Sequence, residues 1–146
     1  ITRRNRGTPI DRVVSELMIC ANSEWGRQLA DSKTAAIYRV QNGGKVRMST
    51  VPAGHEGLGV AQYVWASSPL RRYVDLVNQR QLLALIGGEA PPYRRNSEAL
   101  LAAMRDFELT YDAYAEFQRS MERYWCLRWL LQENVTTVTA TVLREN

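Results

Sequence analysis

One histidine and two cysteines are the only imidazole and thiol groups in 146 residues. Cys20 and Cys126 are too few for a disulfide framework. Both fall in apolar helical stretches, where free buried thiols are the expectation. His55 stands alone, with no Cys/His/Asp cluster around it, and makes a poor metal ligand. The chain has no run of about 18 apolar residues, so no membrane-spanning helix is expected, and no secretory leader pattern opens it. A tight group of acids is missing as well. Asp11, Asp31, Asp75, Asp106 and Asp112 are the aspartates, and none lies within three residues of another. A clustered-carboxylate metal centre therefore has no candidate in this sequence. The glycines of Gly54–Gly59 lack the spacing and the lysine of a nucleotide-binding fingerprint.

What is present suits one globular domain. The chain is 45% hydrophobic and 23% charged, ordinary values for a packed protein, and long enough to bury a real core. A net charge of +4 and a pI near 9.3 suit an acidic partner without demanding one. The sequence begins at Ile1 inside a basic polar stretch and reads as a piece of a longer protein.

In chain order, residues 1–8 form a basic lead-in, either a solvated tail or an RNA contact. Thr8, Pro9 and Asp11 mark a helix start with a weak capping box. Ile10, Val13, Val14, Leu17, Met18, Ala21 and Trp25 keep helical spacing and predict a core-facing stripe. Glu16 lies off its centre. Ile37–Gln41 and Lys45–Val51 read as strands around an Asn42-Gly43-Gly44 turn, spaced to pair as a hairpin. In the Pro52–Gly59 loop, His55 reads as a hydrogen-bonding residue that shapes the site. A helix is expected from Pro69 to about Ile86, with Leu70, Tyr73, Val74, Val77, Ala84 and Leu85 buried, Gln81 as a polar interruption and Gly87-Gly88 as its end. After the Glu89–Asn96 loop, Ser97 caps a last helix. Leu100, Leu101, Met104, Phe107, Tyr111, Tyr114, Met121, Trp125 and Trp129 sustain helical spacing to about Gln132 and read as core rather than as a base-stacking platform. A rod of ~35 residues would reach ~50 Å, so a break between Thr110 and Ala115 is predicted. Val135–Leu143 alternates as a strand does. The fold class is α+β, mainly helical with a few short antiparallel strands.

The stretch that organises the chain is Tyr63-Val64-Trp65-Ala66-Ser67-Ser68-Pro69-Leu70-Arg71-Arg72-Tyr73-Val74-Asp75. It reads as a short strand running into the Pro69 helix, with Ser68 as N-cap and Pro69 at the first position. Two arginines then fall in the first turn, against the helix dipole. Two readings follow. Either a bound phosphate relieves the conflict, held by backbone amides and guanidinium forks, or the turn is basic, capped and solvated.

Ser67 to Arg80 resembles the signature near the end of the catalytic domain of the ribonuclease II / ribonuclease R family. His55-Glu56-Gly57-Leu58-Gly59 and Tyr63 resemble the stretch leading into it. Asp11 to Asn22 resembles the family's helix with an acidic residue and an Ala-Asn end, and Ile37-Tyr38-Arg39 the strand after it. The resemblance covers most of residues 8–86. It implies that residues 1–134 are the C-terminal part of an RNB-type catalytic domain. Residues 135–146 would be a linker, or the first strand of a following OB/S1-like nucleic-acid-binding barrel. Many relatives carry a longer helical insertion after the Tyr-Arg strand; its shortness here makes this a compact branch.

The resemblance implies a cytoplasmic, processive 3'-to-5' hydrolytic exoribonuclease that releases nucleoside 5'-monophosphates and acts through Mg²⁺ held by aspartates outside this segment. The partners would be a single-stranded RNA 3' end and the rest of the parent polypeptide, with no membrane. Arg71 aligns with the arginine on the scissile phosphate, stabilising charge in the transition state. Arg72 falls on the neighbouring backbone phosphate, and Ser68, Glu16, His55 and Tyr63 among the RNA-contacting positions. Tyr73 and Asp75 read as structural. A further RNA-contacting acid of some relatives is not matched: the nearest position is Gln118, beside Glu116. Three readings compete: part of an exoribonuclease, inactive alone; a non-catalytic RNA-binding module; or a scaffold.

Overall fold

A computed structural model describes residues 1–2, 7–139 and 141. Arg3, Arg4 and Arg6 of the basic lead-in lie outside the described residues. The elements are α1 (Pro9–Asp31), β1 (Tyr38–Asn42), β2 (Lys45–Ser49), a single 3₁₀ turn (Glu56–Leu58), α2 (Tyr73–Gly87) and α3 (Glu98–Gln132). The architecture is α+β with one two-stranded antiparallel sheet. The chain divides into two compact units between Tyr111 and Asp112, within α3.

In the larger unit, α1 starts as its residues dictate. The Thr8 hydroxyl accepts from the Asp11 amide at 3.3 Å, and the Asp11 carboxylate accepts from the Thr8 amide at 3.1 Å. The predicted core stripe is overturned along its first half: Ile10, Val13, Val14, Leu17 and Met18 are exposed. Only the second half buries residues, namely Asn22, Gly26 and Leu29. Gly26 packs beside residues 62 and 63, where an added Cβ would make ordinary contact with Gln62 at 3.4 Å and the Tyr63 amide at 3.5 Å. Cys20, expected inside, is exposed, as is Cys126.

The hairpin forms as expected, Tyr38 opposite Ser49 through Asn42 opposite Lys45. Gly43 and Gly44 take φ of 59° and 80°, the double left-handed pair that a two-residue turn matching the strand twist requires. Tyr63–Trp65 is not a ladder strand. It is an extended segment joined to β1 by the Tyr38–Val64 bridge and by the Arg39 amide donating to the Tyr63 carbonyl at 2.8 Å.

Alternation then divides the core. Ala35, Ile37, Tyr63 and Trp65 join one apolar cluster with Val74, Val77, Leu100 and Ala103. Their neighbours Ala36, Tyr38, Val40, Val64 and Ala66 join a second with Leu29 and Leu82. Successive residues of an extended chain point to opposite sides. A run apolar at every position is therefore buried on both faces.

The Pro69 helix start is corrected. Residues 69–71 form a turn, and α2 begins at Tyr73 with Arg72 as its cap residue. Leu70 and Tyr73 are consequently exposed, while Val74, Val77, Leu82 and Ala84 are buried. Gly88, at φ 67°, ends the helix as predicted. The predicted break in α3 is absent, and the helix runs unbroken for 35 residues. Nothing between Thr110 and Ala115 interrupts the ladder, because no proline or glycine occurs there. Leu100 and Ala103 are buried, and Met104, Phe107 and Tyr111 pack on the first cluster.

In the smaller unit Tyr114, Met121 and Trp125, expected as core, are exposed. Helical spacing shows a shared face but supplies no partner for it. The Ile1 ammonium donates to the Gln132 side chain at 3.0 Å. Residues 135–139 form no strand; residues 140, 142 and 143 of the predicted strand lie outside the described residues. Among the described residues no helix is long and apolar enough to cross a membrane.

Candidate nucleic-acid interface

The site is the loop from Ser67 to Arg72, and the extended segment that enters it is tied down by side-chain amides. Asn22, fully buried in α1, accepts from the Ala66 amide and donates to the Ser67 hydroxyl, each at 3.1 Å. Asn78 of α2 accepts from the Ile37 amide and donates to the Ile37 and Trp65 carbonyls, all at 2.9 Å. Gln79 donates to the Ala66 carbonyl at 2.7 Å. Unsatisfied backbone groups at this depth would be costly, so these side chains do the work of a missing ladder partner.

Asp75 closes the loop from the other side. One carboxylate oxygen accepts from the Ser68 amide at 2.7 Å and from the Arg72 guanidinium at 2.8 Å. Its side chain is fully buried, and that of Arg72 is 11% exposed. The Arg71 and Arg72 amides both donate to the Ser68 carbonyl. The Arg72 guanidinium also lies over the Trp65 indole at 4.0 Å, and that of Arg39 lies over the same ring at 4.1 Å. Phe107 and Tyr111 meet Trp65 edge-on, at 6.3 and 5.5 Å between centroids. Burial holds the Arg39 guanidinium below its ordinary pKa.

This geometry changes the electrostatic argument. The arginines do not occupy the first turn of α2; they precede it. The first turn carries Asp75, an acid where the dipole favours one. No dipole conflict is left for a phosphate to relieve. What remains is a difference between neighbours: Arg72 is locked inward, while Arg71 is exposed. Its guanidinium touches only the Ser68 hydroxyl, at 3.5 Å, and makes no salt bridge among the described residues.

The other predicted positions fall in two places. His55 is 7% exposed and meets Tyr63 edge-on at 5.7 Å. Its Nδ1 is buried without a hydrogen-bond partner, and burial, aided by Arg39, holds its pKa below 6.5. Glu16 is exposed on α1. Gln118 is exposed on α3 and bonds Glu122 at 3.3 Å. Sequence reasoning missed Asn22, Arg39, Asn78 and Gln79. For the three amide side chains the only signal was their place on a helix face that should be apolar, as with Gln81, which is fully buried and binds the Ala35 and Tyr93 carbonyls.

No group of three His, Cys, Asp or Glu among the described residues could hold a metal. Asp75, the acid nearest the loop, is enclosed and committed to Ser68 and Arg72. The residues described here do not fit a Mg²⁺ site.

Comparison with known proteins gives this loop its relatives. Residues 44–88 match the family described as RNB domain. Exoribonuclease 2 of Aeromonas hydrophila is 45% identical over 51 residues, 35% of this chain. The 3'-5' exoribonuclease HELZ2 of Homo sapiens is 36% identical over 85 residues, 58% of this chain. The chain spans 8% of the first protein and 3% of the second. A crystal structure of an active-site mutant of the Dss1 exoribonuclease from Candida glabrata shares the fold. Its TM-score is 0.80 at 22% identity, over 90% of this chain and 22% of that one. The matched segment runs from β2 through the arginine loop to the end of α2, and over it this chain is similar to the RNB domain family.

Proposed function

We propose that this chain is part of a 3'-to-5' hydrolytic exoribonuclease, to which it contributes the arginine that grips the RNA phosphate. One observation carries the reading: in a loop whose entering segment is fixed by Asn22 and Asn78 and whose Ser68 amide is held by Asp75, Arg71 alone presents an exposed guanidinium with no carboxylate on it. A guanidinium fork suits two phosphate oxygens at once. Held in place beforehand, it stabilises charge that develops on the phosphate during displacement. Ser68 orients it through the hydrogen bond that its hydroxyl accepts from Arg71. Arg72 serves mainly as a positioning residue, pinned between Trp65 and Asp75, with little surface left for RNA. His55 and Tyr63 are buried against each other and shape the site from beneath, and Glu16 contributes a further contact from α1. Mg²⁺, supplied by aspartates outside these residues, would polarise the phosphate and activate water in the parent enzyme. The substrate is the 3' end of a single-stranded RNA, and the products are nucleoside 5'-monophosphates.

The test is Arg71→Ala and Arg71→Lys in the full-length parent, in single turnovers on a 3'-labelled oligoribonucleotide. Losing the donor should slow hydrolysis by about 10²- to 10³-fold, with lysine recovering only part. The same rate in all three proteins would instead favour a non-catalytic RNA-binding or scaffold role.

A further inference from the structure

A second basic region lies away from the arginine loop in sequence and shares no residue with it. Beside the ends of α1 and α2 the chain leaves a cavity of about 550 Å³. Its charged walls are Lys33, Arg94 and Arg95, and its apolar walls include Leu85, Pro91 and Tyr93. A smaller cavity of about 70 Å³ shares Lys33 and Arg95 with it. Glu89 is the one acid on the larger wall. None of the three cations makes a salt bridge among the described residues.

Cations near helix C-termini commonly serve the exposed carbonyls, but here backbone amides have taken that role. The Ser32 and Thr34 amides bond the Gln28, Leu29 and Ala30 carbonyls of α1. The Gly88 and Glu89 amides bond the Ala84 and Leu85 carbonyls of α2. The apolar wall is also preformed. Gln81, itself fully buried, clamps Tyr93 by its carbonyl at 2.9 Å and its amide at 3.0 Å. Such a cavity falls within the size range of small-ligand sites. Its cations meet phosphate, and an aromatic side chain on a backbone held by Gln81 suits a base.

We infer that this cavity is a second phosphate site, which takes one nucleoside monophosphate unit, free or within an RNA chain, on Lys33, Arg94 and Arg95. It is independent of the role given to Arg71.

The experiment follows tryptic cleavage after Arg94 and Arg95 in the full-length protein by mass spectrometry. It uses no added metal, and adds AMP, a short oligoribonucleotide or polyglutamate. AMP or the oligoribonucleotide should slow cleavage at these two bonds about tenfold, with trypsin's action on an unrelated substrate unchanged. Protection by AMP alone identifies a free nucleotide as the source, and protection by the oligoribonucleotide identifies the chain. In an Arg71→Ala background, Arg94→Gln with Arg95→Gln should weaken AMP binding, read by equilibrium dialysis, by about tenfold or more. Absence of protection by either nucleotide overturns the inference. So does better protection by polyglutamate, which would mark an acidic protein surface, or unchanged AMP affinity in the double variant.

Discussion

Helix α2 and the part of α3 beyond Tyr111 invert the usual rule. In α2 the polar residues Asp75, Asn78 and Gln81 are fully buried, while Leu83 and Ile86 are exposed. In distal α3 the apolar residues Tyr114, Phe117, Met121, Trp125 and Leu131 are exposed. The difference lies in what each helix has to satisfy. α2 faces extended segments whose carbonyls and amides lack ladder partners, so its buried face must carry donors and acceptors. Distal α3 carries an apolar stripe at helical spacing with no element of the described residues against it. Hydropathy therefore reports which side chains share a face. Burial is decided by what that face meets.

The comparison breaks most readily at Asp75. Replacing it by alanine leaves Arg72 and the Ser68 amide without their partner, and should cost about 3–5 kcal/mol in urea denaturation. Activity should fall with it, because the same oxygen shapes the arginine loop. Asn78→Ala leaves the Ile37 amide and the Ile37 and Trp65 carbonyls short of a partner, and should cost about 2–3 kcal/mol in the same titration. If Asn78→Ala proved neutral, the α2 face would not be the structural element described here.

His55 extends the buried polar set beyond α2. Its folded pKa is lowered, by burial first and then by Arg39, below the unfolded 6.5. The unfolded chain therefore binds the proton more tightly. Stability should be highest above pH 6.5 and fall as the pH drops through 6.5 toward the folded value. Arg39 and Tyr63 are the ionisable groups the structure sets against this ring. His55→Gln should flatten that slope in thermal melts taken between neutral and mildly acidic pH. The smallest effect belongs to distal α3. Phe117 is 62% exposed, so Phe117→Ala should change stability by less than about 0.5 kcal/mol. A larger loss would mean that a partner covers this face.

Much of the chain could be read before folding. The Thr8-Pro9-Asp11 start of α1, the Gly43-Gly44 turn and the Gly88 stop were legible because each depends on a few neighbouring residues. The start of α2 was not. Ser68-Pro69 is a sound local signal for a helix. It loses to Asp75, which captures the Ser68 amide at 2.7 Å and draws the preceding residues into a separate turn. The site was half legible in the same way. Arg71 and Arg72 look alike in sequence, and only Trp65 and Asp75 separate an exposed cation from an enclosed one. Arg39 carried no signal at all, since its place on the Trp65 ring depends on β1 lying beside the extended 63–66 segment.

The sequence by itself determined where α1 starts and α2 stops, where the hairpin turns, and that two adjacent guanidiniums stand beside the apolar run of α2. Those properties follow from local dihedral preferences and short-range hydrogen bonds. Only the tertiary structure decided which guanidinium is available, which amides are buried and which apolar faces stay open. Each of those depends on a partner distant in the chain, whose dipoles or side chains set the cost of burial.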